Sequence, residues 1–173
     1  MTLSSFNRRT PVLILALAAL GLTLTAPLAL GRGHHRSPAA VDSVERAIVH
    51  RINSYRHRYG LPPLRFDDRM NIGANQHSRS MARAGFFEHN SADGSAWDAR
   101  VRHYSGAGFV GEVICWTERT TPAHQARVVV SAWVHSGPHR AALLTRGFSR
   151  VGMARWRGGR RTYFTADFAG RRR

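Results

Sequence analysis

The chain has 173 residues and carries 26 basic against 10 acidic side chains, a formal net charge of +16, and every basic residue is Arg. With 43% hydrophobic residues, among them four Trp and eight Phe, it can fill a packed core, which excludes a wholly disordered chain. The single cysteine, Cys115, excludes an internal disulfide framework, a paired-cysteine metal site and a zinc-finger reading of the basic charge.

Arg8 and Arg9 precede an uncharged apolar run from Pro11 to Leu30, the layout of an export signal. Residues 1–31 are expected to be a signal peptide, cut after the small residue Gly31, or an uncleaved membrane anchor. The anchor stays open because the run exceeds the roughly 7–15 apolar residues usual in a cleaved signal. The domain is then secreted or held at the cell surface, and cleavage leaves a charge of +14. Residues 32–41, rich in Gly, Arg and His, read as a linker, with His34 and His35 solvated.

Val44, Ala47, Ile48, Ile52, Tyr55 and Tyr59 recur at three- and four-residue spacing and predict an amphipathic helix over 42–59. Asp42 is its N-cap, with Glu45 closing a capping box, and Gly60 with Pro62-Pro63 stops it. A second helix starts at Asp67 or Asp68 and runs to about Ala84, ended by Gly85. Met70, Ala74, His77, Ser78 and Met81 share its inner face, which makes His77 a satisfied core histidine or a cavity-lining one.

Residues 86–95 read as a loop, 96–104 as a short helix and 107–117 as a strand around Glu112. Cys115 in that strand is expected to be a small buried hydrophobe. Pro122 opens a further helix that Gly137-Pro138 breaks, and Ala141, Leu143 and Leu144 form a short helical turn. Residues 151–157 and 160–168 flank Gly158-Gly159 as a hairpin, the glycines supplying positive φ. This order predicts an α+β fold with helices packed over an antiparallel sheet and a C-terminal β-hairpin.

Three titratable residues stand out: His89 after Phe86-Phe87, Glu112 inside an apolar strand, and His139 after a helix break. A carboxylate in an apolar strand is costly unless paired, and histidine is a natural partner. Two imidazoles and one carboxylate also make the ligand set of an open zinc site. No local spacing motif joins the three, so isolated structural roles stay open beside a functional cluster.

Four phrases then occur in order: Ile52-Asn53-Ser54-Tyr55-Arg56 with Gly60-Leu61-Pro62-Pro63-Leu64; His77-Ser78; Phe87-Glu88-His89 with Gly94; and Trp133 with Ser136-Gly137-Pro138-His139. Together with Val151-Gly152-Met153 and the 163–168 segment, they resemble a bacterial member of the CAP superfamily, the SCP/PR-1-like domain, over residues 42–169, leaving 170–173 as a basic tail. The resemblance implies an α-β-α sandwich whose cavity is lined by two His and two Glu, with a divalent metal held by the His pair in some members. The matching residues are His89, Glu112 and His139, with Ser136 where the family has its other Glu. Two further departures are Gly111-Glu112-Val113 for Gly-Glu-Asn, and Ser136-Gly137-Pro138-His139 for Ser-Pro-Gly-His.

The first functional reading is a secreted, non-enzymatic domain binding a small or lipid-like ligand in a cavity of His89, Glu112, His139, Ser136 and His77. A divalent cation such as zinc would bind weakly at His89 and His139, since one carboxylate serves instead of two. The second is a metal-assisted hydrolase with Glu112 as base or ligand. The third is arginine-driven adhesion to an anionic surface polymer or membrane lipid, through Arg160-Arg161 and Arg171-Arg172-Arg173, with no specific nucleic acid expected.

Overall fold

The structure is a computed structural model and describes residues 41–118 and 120–172. The signal or anchor segment and nearly all of the linker lie outside the described residues. Among the described residues five helices and four strands follow one another: α1 (Ser43–His57), β1 (Arg65–Phe66), α2 (Asp68–Ala84), α3 (Trp97–Ser105), β2 (Phe109–Thr117), α4 (Pro122–His135), α5 (Gly137–Leu143), β3 (Phe148–Gly158) and β4 (Arg161–Gly170).

The helix ends follow their local chemistry. The Asp42 carboxylate accepts from the Glu45 N–H, and Glu45 returns the bond to the Asp42 N–H, a complete capping box. Asp67 caps α2 by accepting from the Arg69 and Met70 N–H groups, and Gly85, at φ 71°, ends it in the left-handed conformation.

The strands form one sheet in the order β1-β3-β4-β2. β3 pairs antiparallel with β4, and β4 with β2. The three long strands make the expected antiparallel sheet, and β1, too short to signal itself in the sequence, adds a parallel pair with β3. The hairpin is also shifted by one residue. Gly158 pairs with Arg161, so Gly159 and Arg160 form the turn, with Gly159 at φ 58°. Gly158 is needed for a different reason, since a Cβ there would meet the Ala82 carbonyl of α2 at 2.5 Å. Gly137-Pro138 does not break a helix but opens α5; the break falls at Ser136, which ends α4 and precedes α5. Proline suits a first helical turn because it has no N–H to leave unpaired. Gly170 belongs to β4, and the Arg171 N–H donates to the Gly147 carbonyl at 3.0 Å, so the basic tail begins within the fold.

Helices cover both sheet faces, giving the α-β-α sandwich. On one face α1, α4 and α5 enclose the main core, with Ile48, Ile52, Val129, Trp133, Leu143, Phe164 and Phe168 buried against Val113, Val151 and Met153. On the other face α2 and α3 pack over two small clusters, Met70-Val101-Ala169 and Met81-Ile114-Tyr163. Cys115 is half-buried at the edge of the main core, and burial pushes its thiol up to about 11, which keeps it protonated. Arg56 of α1 is fully buried and donates to four carbonyls: Nε to Pro62, Nη1 to Leu143 and Thr145, and Nη2 to Phe148.

Candidate functional site

Glu112 sits on β2 with its side chain turned to the α2/α3 face and wholly buried. Burial alone would favour the neutral acid, and two partners reverse that. His89 Nδ1–H donates to Oε1 at 2.7 Å, and Arg100 Nη2–H donates to Oε2 at 2.5 Å. Burial pushes the carboxyl up, but the His89 hydrogen bond and the Arg100 charge together hold it below the usual value. Glu112 is therefore a carboxylate with both oxygens committed.

His89 lies in the segment between α2 and α3, and Arg100 organises that segment. Its Nη2 also donates to the His89 carbonyl at 3.1 Å, and its Nη1 to Ser91 Oγ at 2.9 Å. His77, on α2, is 2% exposed, and its Nε2–H donates to the Glu88 carbonyl at 2.9 Å. Burial, the largest cause, lowers its pKa to about 4, so the ring is neutral at physiological pH. Of the two roles open for His77, the structure shows the satisfied core histidine, and its bond also fixes the peptide just before His89.

His139, on α5, is half-buried; burial and the neighbouring His89 both hold its pKa below the usual value. Ser136 is half-buried, and its hydroxyl makes no cap hydrogen bond. The geometry thus joins His89 to Glu112 by a direct bond, brings His139 within electrostatic reach of His89, and leaves Ser136 without a bond to either.

Two participants escape the sequence reading. Arg100 is one of 26 arginines, and nothing in its local pattern marks it. Asp167 is fully buried on β4, directly across from Glu112 in the β2–β4 register. Burial first, then the Glu112 charge, raises its carboxyl well above the usual value, so Asp167 carries a proton beside an ionised neighbour. Glu112 acts on it at short range, yet neither Oδ has a well-formed hydrogen bond. The signal that existed was an acid between Ala166 and Phe168 inside an apolar strand.

Among the described residues no group of three or more His, Cys, Asp or Glu is placed to hold a metal ion. The three-ligand reading of His89, Glu112 and His139 is not formed, because Glu112 spends its oxygens on His89 and Arg100. What remains for a cation is the His pair. The His89 side chain is 45% exposed, and Nε2 is its free nitrogen once Glu112 takes Nδ1. A carboxylate behind a ligating histidine fixes its tautomer and ring orientation, so His89 fits a metal-ligand role.

The family model "Cysteine-rich secretory protein family" (CAP) matches residues 49–168. An uncharacterised Bacillus subtilis protein, YkwD, is 28% identical over 136 residues, which span 78% of this chain and 50% of that protein. The crystal structure of an extracellular SCP-domain protein from Bacillus anthracis shares the fold with a TM-score of 0.63, 24% identity, and coverage of 74% of this chain and 40% of that one. The crystal structure of NaASP2 with Zn2+ shares it with a TM-score of 0.55, 10% identity, and coverage of 79% and 87%. Among the described residues no helix is long and apolar enough to cross a membrane.

Proposed function

The chain belongs to the CAP family, and from that premise we propose that it is an exported, non-enzymatic binding domain whose site is the His89–His139 rim. The observation that carries this reading is the state of Glu112. With its oxygens accepting from His89 at 2.7 Å and Arg100 at 2.5 Å, it orients a ring and balances a guanidinium, and the lowered pKa makes it a weak base toward water. That weighs against the hydrolase reading.

Beside His89 the surface carries an exposed aromatic ring. Phe87, 41% exposed, lies two residues before His89, and its ring centroid is 6.5 Å from that of Tyr163. Tyr163 is in turn the cross-strand partner of Trp116, which is 36% exposed. An exposed aromatic ring two residues from a histidine of the pair suits a small or lipid-like ligand with one polar group. A divalent cation such as zinc, when bound, would add a positive charge to attract that group. His89 Nε2 and a ring nitrogen of His139 are the atoms that would hold it; Arg100 and His77 keep the His89 segment in place.

Calorimetric titration with ZnCl2 of the wild type, His89→Ala and His139→Ala tests the reading. Weak binding in the wild type, lost in both variants and declining as the solution is acidified, is expected, because protons compete for the ring nitrogens. Equal heats in all three proteins would remove the pair as a site.

A further inference from the structure

A second cleft, of about 400 Å3, opens at the end of the sheet formed by β1, the start of β3 and the end of β4. Its rim carries four arginines from four separate segments: Arg65 on β1, Arg146 after α5, Arg150 on β3 and Arg171 after β4. Arg150 is fixed in place, its Nη1 donating to Asp67 Oδ2 at 2.5 Å and its Nη2 to the Ser105 carbonyl at 3.1 Å. Arg65, Arg146 and Arg171 are exposed, and none has an ion-pair partner among the described residues.

The buried guanidinium of Arg56 lies under the same cleft. Two of the carbonyls it binds belong to Pro62 and Phe148, which line the cleft. Among the described residues no carboxylate pairs with Arg56. Four guanidinium groups on the rim and a fifth beneath it thus have one carboxylate between them, Asp67, which pairs with Arg150. In a protein as arginine-rich as this one, exposed positive charge alone marks nothing. The cleft stands apart because its three unpaired arginines, beyond the Arg150–Asp67 pair, are backed by a further cation in the low-dielectric interior, which focuses the field outward. The floor is also rigid: Gly147 and Gly170 pass so closely that a Cβ on Gly170 would overlap the Gly147 carbonyl.

We propose that this cleft is an anion site that takes a phosphate group, gripped by Arg65, Arg146 and Arg171 and anchored on Arg150. Planar guanidinium forks match phosphate oxygens two at a time, which a compact ammonium does not. The site is separate from the His89–His139 rim and stands independently of the function proposed for it.

The test is calorimetric titration with inorganic pyrophosphate of the purified protein and two triple variants. R65Q/R146Q/R171Q empties the cleft, and R51Q/R157Q/R160Q removes the same charge elsewhere. All six side chains are exposed, and circular dichroism checks that each variant is folded. Saturable binding is expected in the wild type, at least about tenfold weaker in the cleft variant and within about twofold in the charge-matched one. Equal weakening in the two variants, or heats that never saturate, would overturn the site. Phosphatidylglycerol vesicles added as competitor separate the sources of phosphate. Competition identifies a lipid headgroup, and its absence a soluble or polymer-borne phosphate; either result upholds the cleft.

Discussion

On the α1/α4/α5 side of the sheet, β4 presents Phe164, Ala166 and Phe168, all apolar and all buried. The alternate residues of the same strand, turned to α2 and α3, are Tyr163, Thr165, Asp167 and Ala169, equally buried but half of them polar. The period of two that separates the faces is the same for both; what differs is how buried polar atoms are treated. The first face keeps them off the middle of β4 and holds the buried polar side chains Glu45, Arg56 and Gln125 on its helices. The second admits them, most with a partner: Ser78 Oγ donates to Thr165 Oγ1 at 2.9 Å, Asn71 Oδ1 accepts from the Met153 N–H at 3.2 Å, and Glu112 holds His89 and Arg100, while Asp167 stays protonated beside Glu112. One face therefore supplies most of the hydrophobic stabilisation, and the other gives some of it up to hold charges in fixed positions.

The comparison is broken most directly on the apolar side. Trp133→Ala deletes a fully buried indole and its Nε1–H bond to the Ile114 carbonyl, 3.0 Å long. A loss of about 4 kcal/mol is expected in denaturant melts, as is usual for Trp or Phe to Ala in a core. A loss below about 1 kcal/mol would mean that this face does not carry the fold. On the polar side, Glu112→Ala leaves Arg100, with a side chain only 9% exposed, without its counter-ion. About 3 kcal/mol should be lost, near the lower end for stripping one partner from a buried pair. Melting of the two variants under the same conditions ranks the faces.

Asp167→Asn sharpens the contrast by pH. The Asp167 carboxyl is raised in the native state, so above its ordinary pKa the unfolded chain releases a proton that the native protein keeps. Stability then falls as pH rises, by about 1.4 kcal/mol per pH unit until the native group also ionises. Glu112, held below its ordinary value, has the opposite sign, and its contribution is lost as pH falls through its native pKa. Asn cannot ionise, so the variant should match the wild type near pH 3 and exceed it by about 1 kcal/mol or more at pH 7. Parallel stability curves for the two proteins would show that Asp167 is ionised in the fold.

The helices and the long strands were legible because their signals are local. Asp42 and Glu45, Asp67, and Gly85 each act within one turn of the residues they cap. Where packing partners distant in sequence decide, local reading fails. Gly158 looks like a turn residue until α2 is laid against it, and two-residue β1 exists through its pairing with β3. The same holds at the site. His89 and Glu112 could be singled out by residue type and neighbours, but Arg100 is distinguished only by where its guanidinium lands. Asp167 carries only the weak signal of an acid between apolar neighbours, and its partner can be named only from the β2–β4 register.

Arg56 also bears on how the domain can be cut. Its donors reach from the first helix to Leu143, Thr145 and Phe148, 87 to 92 residues further along the chain. A lysine could not replace it, because one ammonium cannot span carbonyls lying on several sides. Removing either terminal part leaves the other with orphaned polar groups in its interior, a charged guanidinium in one fragment and bare carbonyls in the other. The two ends of the domain are in this sense a single cooperative unit, and neither half is a candidate for independent folding.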